Sequence, residues 1–146
     1  MLIEKIKSDL NEAMRARDET KVSTLRFLLS AINNKSIELQ KELTDEDINQ
    51  VIAKQVKERK ESIAAFSAAN REELATKERA EMEYLSIYLP QQLTEGEVEK
   101  IVNDVIGELG ASGPNDFGRV MSTVMARVKG QTDGNIVSGL VKKVLG

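Results

Sequence analysis

The stretch Val98-Glu99-Lys100-Ile101-Val102-Asn103-Asp104-Val105-Ile106-Gly107-Glu108-Leu109-Gly110 decides the fold class. Its apolar residues Val98, Ile101, Val102, Val105, Ile106 and Leu109 fall at i, i+3, i+4, i+7, i+8 and i+11, which is one face of a helix. A strand would alternate polar and apolar residues, and this stretch does not. Thr94-Glu95-Gly96-Glu97 precedes it in capping-box spacing, and Gly110 supplies a helix stop.

The pattern returns downstream in Phe117, Val120, Met121, Val124, Met125 and Val128, with Gly130 as the stop. Asp133 then caps a last helix whose Ile136, Val137, Leu140, Val141, Val144 and Leu145 are expected to point inward. Residues 94–146 therefore read as a three-helix lobe.

Upstream, residues 1–93 read as a lobe of about four longer helices. The first carries Ile3, Ile6, Leu10, Ala13 and Met14 on one face, and the second carries Val22, Leu25, Leu29, Ile32 and Ser36. Thr44 caps the third, with Asp45, Glu46 and Asp47 in the first turn and Ile48, Ile52, Val56, Ile63 and Phe66 along its stripe. Leu74, Met82 and Leu85 mark the fourth. Pro90 ends it, because proline lacks the amide hydrogen and crowds the preceding turn. The expected class is all-α throughout.

Composition narrows the chemistry. The chain of 146 residues carries 21 basic against 24 acidic side chains and no Cys, His or Trp. Disulfides, thiolate sites, histidine bases and most zinc chemistry are excluded. No catalytic residue, metal or cofactor stands out. Glu72-Glu73 and Glu81/Glu83 are not catalytic carboxylate pairs, since helix neighbours at those spacings point apart. Met1 to Leu10 holds Glu4, Lys5, Lys7 and Asp9, so it lacks the apolar core of a signal peptide. No apolar run approaches the ~18 residues of a membrane span. A cytoplasmic location is expected.

The small lobe is electrically lopsided. Residues 94–111 hold one base against five acids (1 − 5 = −4), and residues 112–146 hold five bases against two acids (5 − 2 = +3). Arg119, Arg127, Lys129, Lys142 and Lys143 are therefore candidate phosphate contacts, although a solvated face or the helix dipole would also account for such charges. Gly118, Ser122 and Ala126 form a strip of small side chains suited to close approach by a neighbouring helix or a sugar-phosphate chain. Gly130 and Gly134 flank a turn before the last helix. In the large lobe Gln55 and Arg59 interrupt the apolar stripe of the third helix, so Arg59 needs a carboxylate partner, with Glu38 and Glu81 as candidates. Its alternative role is an anion site with Arg26 and Asn33.

The runs Asp116-Phe117-Gly118-Arg119-Val120-Met121, Val124-Met125-Ala126-Arg127-Val128-Lys129-Gly130 and Asp133-Gly134-Asn135-Ile136-Val137 resemble the signature of the GatB/YqeY family. Arg26-Phe27-Leu28, Arg59-Lys60-Glu61-Ser62, Phe66, Asn70-Arg71 and Tyr88-Leu89-Pro90 extend the likeness to stand-alone YqeY-like proteins across essentially the whole chain. Roughly the last third to half also resembles the tail domain of the tRNA-dependent amidotransferase B subunit. The resemblance implies a multihelical protein whose small lobe grips tRNA, with Arg119, Arg127, Lys129, Lys142 and Lys143 on phosphates and Gly118 and Gly130 allowing close approach. The family also carries a carbon–nitrogen ligase label with glutamine as amide donor, yet no segment here resembles the amidotransferase catalytic cradle. The expected function is a non-catalytic tRNA-binding accessory module. The alternatives are an enzyme or enzyme subunit in amide transfer and a helical protein-interaction module with a partner in aminoacyl-tRNA metabolism.

Overall fold

Capping side chains decide where the helices begin. In a computed structural model describing residues 1–146, Thr44 and Asp47 close a reciprocal capping box, as do Thr94 and Glu97. The Asp18 and Asp133 carboxylates accept from the Lys21 and Asn135 amides at 3.1 and 2.8 Å. The resulting elements are α1 (Leu2–Arg15), α2 (Glu19–Leu39), α3 (Asp45–Ala68), α4 (Glu72–Ser86), α5 (Glu95–Leu109), α6 (Phe117–Val128) and α7 (Gly134–Leu145). A short 3-10 turn, Pro114–Asp116, leads into α6, and the chain forms no strand. The all-α class expected from periodicity is the one observed.

The chain divides into two units, Met1–Leu89 and Pro90–Gly146. Pro90 to Leu93 lie with the second unit. The Leu93 amide donates to the Gln131 carbonyl at 2.8 Å, and Gln92 Nε2 donates to the Pro90 and Gly130 carbonyls, each at 3.0 Å.

In the first unit Ile6, Leu25, Leu28, Ile32, Ile48, Ile52, Val56 and Leu85 form the core. α2 packs against α1, α3 and α4, which widens its buried face beyond the single expected stripe. Leu28 and Thr24 are buried, while Leu29 and Ser36 are only half-buried. Thr24 meets the cost of burial by donating its hydroxyl to the Thr20 carbonyl at 2.8 Å. Met14, expected inward, is 41% exposed near the end of α1.

Two tyrosines one turn apart on α4 tie it to the start of the chain. Tyr84 donates to Asp18 Oδ2 at 3.2 Å, and Tyr88 donates to Asp9. Lys21 and Lys5 sit over the two rings, 5.8 and 5.7 Å from the centroids.

The second core is built on valine. Val98, Val102 and Val105 of α5, Val120, Val124 and Val128 of α6, and Val137 and Val141 of α7 are all fully buried. Ile136 and Val144, expected inward, are instead 43% and 45% exposed. The packed row on α7 is Val137–Val141–Leu145, with Leu140 beside it. Ile136 and Val144 lie one residue off that row at the helix ends, where neighbours cover the row alone.

Burial, followed by the hydrogen bond to Asp9, raises the Tyr88 phenol above its ordinary pKa of 10. A group raised in the folded state contributes fully below its unfolded pKa and loses that contribution as pH climbs. Stability should therefore hold up to about pH 10 and fall above it. Tyr88→Phe should flatten this alkaline decline in urea titrations run at several pH values, and an unchanged decline would refute the assignment.

Candidate nucleic-acid interface

The five cations of the second unit are not equally free. Arg127 donates through both Nη atoms to the Glu108 carboxylate, one bond measuring 3.1 Å. Arg119 Nη2 donates to Asp116 Oδ1 at 3.1 Å and to the Leu109 carbonyl at 3.3 Å. Two arginines eight residues apart on α6 are thus drawn to the C-terminal end of α5, one at residue 108 and the other at 109. Asp116 also accepts from the Ser112 amide at 3.0 Å, so Arg119 braces the turn ahead of its own helix.

Electrostatics follow the contacts. The Arg127 hydrogen bonds hold Glu108 below the usual glutamate value, and the same contact raises Arg127. The Ser112 amide is the first cause of the lowered Asp116 pKa, ahead of Arg119. Both ion pairs are open to water, where such pairs contribute little and can exchange partners.

The three lysines have no carboxylate partner. Lys129 and Lys143 are exposed, and Lys142 holds its ammonium 5.9 Å from the centre of the Phe117 ring. Lys142 and Lys143 occupy the last turn of α7, where the helix dipole favours cations.

The small-residue strip of α6 has no covering helix. Gly118, Ser122 and Ala126 are all exposed, and a Cβ added at Gly118 would meet nothing within 4 Å. Gly130 has a local duty as well, because its φ of +77° stops α6 in the left-handed region. Asp133 caps α7 with its side chain on the Asn135 amide, which occupies the helix N-terminus.

In the first unit Arg59 lies between α3 and α4. Its Nη1 donates to Glu78 Oε2 at 3.0 Å and to Glu81. Glu81 is one of the two anticipated partners and Glu78 is an additional one, while Glu38 pairs with Lys35 at 3.4 Å. Arg26 and Asn33 do not join Arg59. Arg26 reaches Met14 Sδ at 3.5 Å, and Asn33 lines a separate hollow with Ile3, Lys7 and Leu43. No group of three metal-ligating side chains gathers anywhere, and no helix is long and apolar enough to cross a membrane.

A family model described as Yqey-like protein matches residues 3–145. Three similar proteins all bear the name Altered inheritance of mitochondria protein 41, mitochondrial. That of Pyrenophora tritici-repentis is 31% identical over 149 residues, spanning 100% of this chain and 82% of the relative. That of Lachancea thermotolerans is 36% identical over 113 residues, spanning 75% and 60%. That of Vanderwaltozyma polyspora is 33% identical over 147 residues, spanning 94% and 79%. These relatives overturn the cytoplasmic expectation, since each is named a mitochondrial protein. Cysteine usage and span length had no power to separate those compartments, because both accept a cysteine-free helical chain.

Removing Arg59 strands two carboxylates between α3 and α4. Arg59→Leu should cost about 3–5 kcal/mol in chemical denaturation, as expected for breaking a buried pair. Adding Glu81→Leu should recover much of the loss. Strict additivity of the two substitutions would contradict the pairing.

Proposed function

This chain belongs to the Yqey-like protein family, and within it we propose a non-catalytic tRNA-binding accessory module that uses the second unit. The observation that carries the reading is the uncovered strip Gly118–Ser122–Ala126, bordered by Arg119 and Arg127 and accompanied by the unpaired Lys129. A helix side without bulk lets a sugar-phosphate chain come close, and cations at its border then reach phosphates at short range. Lys142 and Lys143 extend the positive charge from α7.

The ligand class comes from the motif likeness to the amidotransferase B-subunit tail, a domain that grips tRNA. Readout would be of shape, because Phe117 is the one aromatic side chain in residues 90–146 and it is half-buried. Affinity should be modest. The unit carries six bases against seven acids (6 − 7 = −1), and two of the bases must leave carboxylates to engage phosphate.

Filter binding of tRNA at varied salt tests the reading. Binding should appear at low salt and weaken with a log–log slope of about −2 to −3, as expected for some three phosphates neutralised. Combining Lys129→Ala, Lys142→Ala and Lys143→Ala should abolish it. Gly118→Ala should raise stability by about 0.5–1 kcal/mol, as alanine replacing an exposed helical glycine does, and should still weaken RNA binding. Absence of low-salt binding, or indifference to the lysine triple, would defeat the assignment.

A further inference from the structure

Folding leaves two large apolar side chains of α2 in water. Leu28 in the run Arg26-Phe27-Leu28 is fully buried, while Phe27 beside it is 60% exposed. Ile37, almost three turns further on, is 67% exposed. A lone surface hydrophobe is ordinary, but these two share the outward side of one helix and each has a charge next to it. Arg26 precedes Phe27, and Glu38 follows Ile37.

The four positions are symmetric about residue 32. Arg26 with Glu38 and Phe27 with Ile37 each sum to 64. In an antiparallel pair of α2 helices about a two-fold axis, one register brings Arg26 against Glu38 of the second copy and Phe27 against its Ile37. Sliding either helix by one turn loses both matches. Ser30, Ala31, Asn33 and Asn34 lie between the matched ends, and their short side chains let the two backbones approach.

Both charges are available. Arg26 makes its side-chain contact with the Met14 sulfur at 3.5 Å. Glu38 is held by an exposed i,i+3 pair with Lys35 at 3.4 Å, a weak interaction. Phe27 also borders hollows on either side of α2, one lined by Met14 and Val22 and the other by Leu39 and Val51. Side chains of a second helix have space to enter there.

We propose that the outward face of α2 docks a second copy of this chain, antiparallel, with Arg26 on Glu38 and Phe27 on Ile37 across the two-fold axis. A single helix pair falls below the ~1,200 Å² typical of stable complexes, so association should be weak and concentration-dependent.

Sedimentation equilibrium of the full chain across micromolar to millimolar concentration tests this with charge exchange. The native chain should dimerise, and Arg26→Glu or Glu38→Arg alone should weaken dimerisation about ten-fold or more, because each sets like charges together at two equivalent contacts. The double variant R26E/E38R should dimerise again. An equimolar mixture of the two single variants should form a mixed dimer, since both of its crossed contacts are attractive. These positions are exposed, and circular dichroism should report unchanged helix content. A native chain that stays monomeric overturns the proposal, as does a dimer indifferent to the exchanges or occupancy of this face only by another protein.

Discussion

α4 imposes the main constraint on the first unit. Its core contribution is slight, with Ala75 and Leu85 buried and Leu74 and Met82 only half-buried. A helix with so narrow an apolar stripe is poorly positioned by burial alone, since burial is non-directional. Polar bonds distributed along its length supply the missing direction. Glu78 and Glu81 meet Arg59 of α3, Tyr84 meets the Asp18 cap of α2, and Tyr88 meets Asp9 of α1. Each bond is selective for register because a displaced partner would leave a polar group buried without compensation. Asp18 couples two of these tasks, with one oxygen starting α2 and the other receiving Tyr84.

The second unit solves a different problem with different means. Three short helices enclose a small interior, and valine fills it with stiff, compact side chains. Valine is a mediocre helix former, so packing and caps must offset propensity here. The Thr94–Glu97 box and the left-handed Gly110 bound α5, and Asp133 opens α7. With the interior satisfied on one side of α6, its Gly118–Ser122–Ala126 side is left to solvent. The charge on this unit is also less one-sided than its composition by segment suggests. The acid-rich α5 lends Glu108 to Arg127, and Asp116 serves both the preceding turn and Arg119. An RNA ligand would find three free ammonium groups and two guanidinium groups already engaged, which favours salt-sensitive, shape-led contact over tight binding.

Much of this architecture was legible in the order of residues. Apolar spacing and cap residues are local properties, so the helices, the Thr44 and Thr94 caps and the Gly110 stop could be read without knowing what packs where. The need of Arg59 for a carboxylate was equally plain, because a charge in an apolar stripe is costly unless paired. Glu78 was the harder partner to anticipate, since its role depends on which side of α4 turns toward α3. The tyrosine–aspartate bonds carried no comparable signal. Tyr84 and Asp18 lie 66 residues apart, and only the docking of α4 brings them within reach.

The chain order by itself thus determined the helical class, the positions of most helix ends and the absence of thiol and imidazole chemistry, because backbone capping and side-chain inventory act at short range. Tertiary structure alone decided which cations stay free, which small-residue strip remains uncovered and which apolar side chains of α2 face outward. Those outcomes depend on neighbours distant in sequence, and the cost of leaving charge or apolar surface unpartnered is settled only when the helices meet.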